Sequence, residues 1–258
     1  MTDKPIVPNV AQTFYDRLAP QYDQFYQDWD ETVKEEARFL QNIFAGFGFD
    51  LSARVLDCAC GIGTQAIGLA ALGYDVTGSD LSSGELAEAK RRTAERGVSV
   101  RFAQADFRAL PDVFSEPFDI VIAMDNALPH MLTAADLKAA VQSIAGVLRE
   151  GGLFVASIRD YDRMLAEKPA WSAPYVHKTE QGQRVLFQTW DWHGENYRFI
   201  QYIINDAETT EVSKFECEYR AVRRAELTAL LRGSGCREVL WRMPEETGFY
   251  QPVVIARK

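Results

Sequence analysis

The sequence predicts an α/β protein: a doubly wound, mostly parallel sheet with an N-terminal helical cap and an antiparallel β insert after the fifth strand. Three observations predict it. Apolar strands alternate with amphipathic helices from Ala53 to Asp160, which is the pattern of a parallel sheet covered on both faces. The stretch before them, Ala11 to Phe47, is helical in period and rich in aromatics. The stretch after them is β-branched and aromatic, with turn residues but no helix between its apolar runs.

The elements follow in order. Pro20 breaks "FYDRLAPQYDQFYQDWDETVKEEARFLQNIFAGF" into a short first helix and a longer second one. "ARVLDCA" reads as the first strand, and "GTQAIGLAALG" as a helix closed by Gly73. "YDVTGSD" is the second strand; "SSGELAEAKRRTAERG" is a helix with serines at its start and Gly97 at its end. "VSVRFAQAD" and "FDIVIAMD" are strands three and four, "TAADLKAAVQSIAGVLREGG" a helix, and "LFVASIRD" strand five. "RVLFQTWDWHG", "NYRFIQYIIND" and "EVSKFECEYRAV" read as a three-stranded antiparallel meander. "RRAELTALLRGSG" is the last helix, and "REVLWRM" and "PVVIARK" are the last strands. Together these form one expected domain over 1–258: a cap (1–50), a cofactor-binding core (51–160), the β insert (161–222), and a final helix with two strands (223–258).

Composition narrows the chemistry. An apolar share of 47% and a charged share of 25% are those of an ordinary globular protein. No apolar run approaches the roughly 20 residues that cross a bilayer, and "MTDKPIVPNVAQTF" lacks the basic flank and apolar centre of a signal peptide. A cytoplasmic protein with no membrane partner is expected. The net charge of −9, without a basic block, argues against nucleic acid and for a small-molecule substrate. Cys58, Cys60, Cys217 and Cys236 make no disulfide framework, and His130, His177 and His193 are scattered, so no metal is expected.

The chemistry concentrates in "RVLDCACGIGTQAIGLA". Gly61-x-Gly63-x-x-Ala66, between a strand and a helix, satisfies the fingerprint of a dinucleotide loop and of an S-adenosylmethionine (SAM) loop equally; a ligand-free tight turn is the plain alternative. Asp80 lies where an acid would bind a ribose hydroxyl in either case. Asp57 separates them: it suits the cationic amino group of SAM and would repel a pyrophosphate. Asp106 in "AQAD" stands where an acid could accept from an adenine amino group, and no second set of mononucleotide-binding units follows strand five. SAM is the expected cofactor, and a nicotinamide dehydrogenase is disfavoured.

"VLDCACGIGTQAIGLAALGYDVTGSDLS" resembles the cofactor half of class I SAM-dependent methyltransferases, whose sheet is Rossmann-like. With "YDQFYQDWDE", "VIAMDNALPHM", "SIRDYD" and "EETGFYQPVVIARK", the chain resembles the glycine N-methyltransferase and glycine/sarcosine N-methyltransferase group more closely. The resemblance implies Asp57, Ala59, Gly61 and Gly63 at the methionine part of SAM, Asp80 and Leu81 at the ribose, and Asp106 and Phe107 at the adenine, with Met124 and Trp29 completing the cofactor set. It also implies Asn126 and Arg159 in the substrate pocket and Tyr22 closing it. The group holds the SAM carboxylate with a cap arginine; "DETVKEEAR" leaves that residue open here, with Lys34 as a candidate substitute.

Each pocket residue has a plainer reading beside the functional one. Arg159, at the carboxyl edge of the sheet, can grip a carboxylate through two parallel hydrogen bonds, or form a salt bridge to Asp160 or Asp162. Asn126 can meet the substrate or close an Asx turn; the absence of an N/D-P-P-Y/F motif argues against a nucleobase amine. His130 is a general base or a packing residue, and Tyr22 and Trp29 are lid or core. The aromatics of "FQTWDWHGENYRFIQYII" form a cage for a cation or merely alternate on a sheet. The expected activity is methyl transfer to the amine of glycine, sarcosine or a related carboxylate-bearing compound, with no single indispensable base. Methylation of an aromatic secondary metabolite at N or O, and a SAM-binding regulator without turnover, are the rivals.

Overall fold

The structure, a computed structural model, describes residues 10–258. Helix α1 (Val10–Leu18) gives way at Pro20, which cannot donate to a helical ladder, to a tight 3-10 helix over Ala19–Phe25. Helix α2 (Trp29–Gly46) then starts at Asp28, whose side chain accepts from the Glu31 amide at 3.0 Å. Val33, Ala37, Leu40 and Phe44 fall on one face of α2 and are buried. That face meets α3 (Thr64–Leu72) closely: a Cβ on Gly68 would stand 2.4 Å from the Val33 carbonyl oxygen.

The core alternates as expected: β1 (Arg54–Asp57), α3, β2 (Asp75–Asp80), α4 (Ser83–Arg96), β3 (Arg101–Gln104), β4 (Phe118–Ala123), α5 (Ala134–Val147) and β5 (Leu148–Ser157). Then come α6 (Tyr161–Glu167) and four strands, β6 (Tyr175–Thr179), β7 (Gly182–His193), β8 (Asn196–Asp206) and β9 (Thr210–Arg220). The chain finishes with α7 (Arg224–Gly233), β10 (Glu238–Arg242), α8 (Pro244–Thr247) and β11 (Val253–Arg257). The main sheet runs β3-β2-β1-β4-β5-β11-β10, with β1 to β5 parallel and β11 antiparallel to both its neighbours. Strand order reverses between β1 and β4, which opens a crevice beyond their carboxyl ends.

The insert is an antiparallel sheet of four strands, β6-β7-β8-β9, where the sequence predicted three, and a helix, α6, precedes it. Both additions are short. β6 is an edge strand whose Tyr175 and Val176 are exposed, so it carries no buried alternation to be read. The insert buries Tyr197, Phe199, Phe215 and Tyr219 in one cluster with Phe14 and Leu18 of α1.

The cap thus touches both sheets. Asp16 of α1 accepts from Ser82 Oγ at 2.6 Å and from the Gly84 amide at 2.8 Å, at the start of α4. Farther along, Gln27 exchanges two hydrogen bonds with the backbone of Lys178 in β6, at 2.9 and 3.2 Å. Among the described residues no helix is long and apolar enough to cross a membrane.

Candidate active site

The site begins at the β1–α3 turn. Gly61 (φ 51°) and Gly63 (φ 94°) take the left-handed conformation that glycine alone adopts cheaply. A Cβ at Gly61 would also meet Glu85 Oε2 at 2.7 Å. The Gly61 and Ser82 amides each donate to Asp80 at 2.9 Å, so this carboxylate ties the glycine turn to the β2–α4 turn. Asp57 is fully buried at the end of β1. Its Oδ1 has one long contact, the Ala59 amide at 3.4 Å, and its Oδ2 has no protein partner. Burial holds this carboxyl well above the usual carboxylate range.

Above these turns lies a cavity of about 850 Å³, its open mouth included. Of the residues predicted for the site, Ala59, Gly61, Asp80, Leu81, Asp106, Phe107, Met124, Tyr22 and His130 line it. Asp57, Gly63, Trp29, Asn126 and Arg159 lie outside that lining. Among the described residues four acids line it (Asp80, Glu85, Asp106 and Asp125), but no lysine or arginine. Asp106 is not free: Arg108 clamps both its oxygens, its Nη2 2.6 Å from Oδ2.

Two expectations for the cap change. Trp29 lies outside the cavity lining: its Nε1 donates to Thr64 Oγ1 at 2.9 Å, and the Arg92 and Arg96 guanidinium groups stand over its ring at 4.5 and 4.6 Å. Lys34 does not reach the site, because it is exposed on α2 and pairs with Glu31 at 3.0 Å. The charged cap residue that turns inward is Glu36, one helical face away. Gln65 Nε2 donates to Glu36 at 2.6 Å and to Asp125 at 2.7 Å, while the Tyr250 hydroxyl donates to the other oxygen of Asp125 at 2.7 Å. Burial, then the neighbouring Asp125, raises the Glu36 carboxyl well above its ordinary range.

Glu85 was invisible to sequence reasoning because Ser82-x-x-Glu85 reads as a capping box on a solvated helix. Only half of that box forms. Ser82 Oγ accepts from the Glu85 amide, but the Ser82 amide is taken by Asp80, which leaves the Glu85 carboxyl buried with Oε1 unpartnered. Burial first, then Asp80 and Asp16, push its pKa well up.

A second group of residues gathers where β4 and β5 end. Asp125 (φ 55°) and Asn126 (φ 70°) are consecutive left-handed residues, held by hydrogen bonds from their amides to Ser157 Oγ at 2.8 Å and Ser157 O at 3.1 Å. Asn126 is not spent on an Asx turn: its Oδ1 accepts from the Arg159 amide at 3.1 Å and the Tyr161 hydroxyl at 3.0 Å. Its Nδ2 is buried without a partner.

The salt-bridge alternative for Arg159 also fails. Asp160 and Asp162 pair with Arg224 instead, at 2.8 and 3.0 Å. Arg159 donates to Gln188 Oε1 at 3.0 Å and, at 3.5 Å, to the Tyr197 hydroxyl. Its guanidinium stands over Trp190, Phe199 and Tyr219 at 5.3–5.7 Å. Among the described residues no acid pairs with it.

His130 links the two groups. It lines the cavity, sits 2.8 Å from the Tyr15 hydroxyl, and packs at 4.4 Å on Tyr219, the ring that carries Arg159. Burial, then Arg159, lowers its pKa to about 3, so it is neutral at physiological pH and a weak base. Trp192 is committed to structure through Pro169 O at 2.8 Å, whereas Trp190 Nε1 has no partner. Cys58 and Cys60 are buried thiols with raised pKa, so neither is an activated nucleophile.

Comparison with known proteins bears on these features. Residues 55–152 match the family model described as a methyltransferase domain. The segment from β1 into β5 is thus similar to a methyltransferase domain. Its fold agrees over nearly the whole length with the CcbJ methyltransferase of Streptomyces caelestis: TM-score 0.75, 20% identity, 95% of this chain and 98% of that one. It agrees likewise with CalS10, an amino pentose methyltransferase from Micromonospora echinaspora solved with SAM bound: TM-score 0.71, 21% identity, 87% and 91% covered. In sequence, the domain is 30% identical over 138 residues to a glycine/sarcosine N-methyltransferase of Parasynechococcus marenigrum. That match covers 54% of this chain and 48% of the relative, so the chain spans about half the length of the curated relatives it matches.

Proposed function

We propose that this protein moves a methyl group from SAM to the amine of a small carboxylate-bearing molecule, with glycine and sarcosine as the leading candidates. One observation carries the acceptor: Arg159 is a half-buried cation that, among the described residues, is held only by neutral groups. A partly desolvated charge without a counter-charge is unfavourable, and a substrate carboxylate would complete it. Asn126 Nδ2, an unpartnered donor whose own oxygen is tied to the Arg159 amide, supplies a second contact.

The acids in and beside the cavity support a SAM site, and of the three predicted ones Asp57 alone keeps an oxygen without a partner. Asp57 Oδ2 would take the methionine ammonium, Asp80 the ribose hydroxyls, and Asp106 with Phe107 the adenine. When bound, SAM supplies an electrophilic methyl on a sulfonium whose leaving group is a neutral thioether.

The remaining work falls to the chain. Arg159 and Asn126 orient the acceptor; the cap, with Tyr15 and Tyr22 in the cavity lining, keeps water out. The acceptor amine must be unprotonated to react, and the positive charge of Arg159 disfavours its ammonium form. His130, with a pKa near 3, is a poor proton store, which agrees with a reaction needing no dedicated base.

A second reading is favoured by Trp190, whose unpartnered Nε1 could meet an aminated sugar or aromatic acceptor. An acceptor screen read by product mass, followed by Arg159→Lys and Trp190→Ala proteins on the best acceptor, tests both. The amino-acid reading requires Arg159→Lys to be the more damaging. A dead Trp190→Ala protein beside an active Arg159→Lys protein replaces it with the second reading. Single turnover with labelled SAM, if no acceptor gains a methyl group, leaves a binding protein.

A further inference from the structure

We infer that Gln188 is the positioning residue that holds Arg159 in place without cancelling its charge, and so sets the site's preference for an anionic acceptor. The inference rests on the reading of Arg159 as a carboxylate grip and deepens it.

Gln188 and Gln201 face each other across β7 and β8. Gln201 is 3% exposed and directs its Nε2 to the carbonyls of Phe187 and Tyr202, at 3.3 and 2.9 Å. Its Oε1 therefore faces Gln188 and accepts from Gln188 Nε2 at 3.0 Å. That leaves Gln188 only its Oε1 to present to the guanidinium, which donates to it at 3.0 Å. Turning either amide over would set donor against donor, so two backbone carbonyls dictate, through two amides, which atom meets Arg159. The Gln188 backbone is also anchored, its N–H donating to Ser172 Oγ at 3.0 Å.

Glutamate at 188 would keep an acceptor toward Arg159 and make a stronger bond, while its second oxygen would face Gln201 Oε1 without a proton to share. It would also supply the missing counter-charge and leave an incoming carboxylate nothing to neutralise. The second acceptor on Arg159, the Tyr197 hydroxyl, is neutral as well. Every group around the guanidinium thus orders it while leaving its charge unspent.

The test is acetate binding to the full chain saturated with S-adenosylhomocysteine, measured by calorimetry. The parent should bind acetate and Arg159→Lys should bind it far less. Gln188→Leu removes one anchor of the guanidinium but leaves its own bonds to acetate, and should cost about threefold. Gln188→Glu should cost roughly thirtyfold or more, the weight of a charged one. A merely structural role would make the two substitutions equal, and equal losses overturn the inference. Should Gln188→Glu not fold, Gln201→Leu replaces it: freed to turn over, Gln188 should weaken acetate binding about threefold, and unchanged binding overturns the relay. Failure of the underlying reading looks different, with the parent not binding acetate or Arg159→Lys binding it as the parent does.

Discussion

The Tyr15 hydroxyl stands 2.8 Å from His130 Nε2, so the first cap helix is fastened to the loop that follows β4. Burial and the nearby Arg159 hold this imidazole neutral, which has a consequence for stability. His130 titrates near 3 when folded and near 6.5 when unfolded, so between those values the unfolded chain binds the extra proton. Stability should then rise with pH through that window and be complete above it, with a limiting slope of about 1.4 kcal/mol per pH unit from this group. Urea unfolding of the parent and of His130→Gln at about pH 5, 6 and 7 checks it. The variant should show the smaller gain.

Asp57→Asn should weaken SAM binding by roughly 1.5–3 kcal/mol, the weight of a charged hydrogen bond. Burial keeps the free carboxyl protonated above its ordinary range, whereas the cofactor's ammonium favours the ionised form. Binding therefore releases a proton, and affinity in the parent should rise with pH until the raised pKa is passed. Calorimetry across pH reads both effects, and Asp57→Asn should lose the pH dependence with the affinity.

Glu85→Gln should stabilise the cofactor-free protein. Its raised pKa means the folded state binds more protons than the unfolded one above the ordinary glutamate value, so stability falls as pH rises there. A neutral amide removes that loss, worth about 1–3 kcal/mol for a buried, incompletely satisfied group. A higher midpoint in thermal unfolding near neutral pH, converging with the parent at acid pH, is the expected result.

Gly68→Ala should destabilise the protein although alanine is the better helix former by about 1 kcal/mol. The added carbon would lie 2.4 Å from the Val33 carbonyl and 2.7 Å from Ala37 Cβ, so α2 and α3 must separate, at a typical overpacking cost of about 1–3 kcal/mol. Chemical denaturation gives the sign.

The parallel core is legible in the sequence because its strands are buried on both faces and read as continuous apolar runs. Ile120, Val121, Ile122 and Ala123 of β4 are wholly buried. The glycine turn is legible because left-handed backbone demands glycine, and Asp80 because an acid stands at the end of β2, where it is tied to that turn. What escapes is short or exposed. β6 has five residues and α6 seven, too few for either period to show. The site's polar network escapes for another reason: Glu36 and Gln65 touch across 29 positions, and Arg159 and Gln188 across another 29. Lys34 pointed to the wrong face of α2, where Glu36 was the residue turned inward.

Gln27 meets both backbone groups of Lys178 on the side of β6 turned away from β7. Those are the groups an edge strand would otherwise offer to a strand from another molecule. A primary amide has one donor end and one acceptor end, so it occupies that rung of the ladder as a neighbouring peptide would, yet has nothing to propagate. The strap that joins the cap to the insert therefore also closes one rung of the β6 edge, at Lys178, that would otherwise be open to a strand from another molecule.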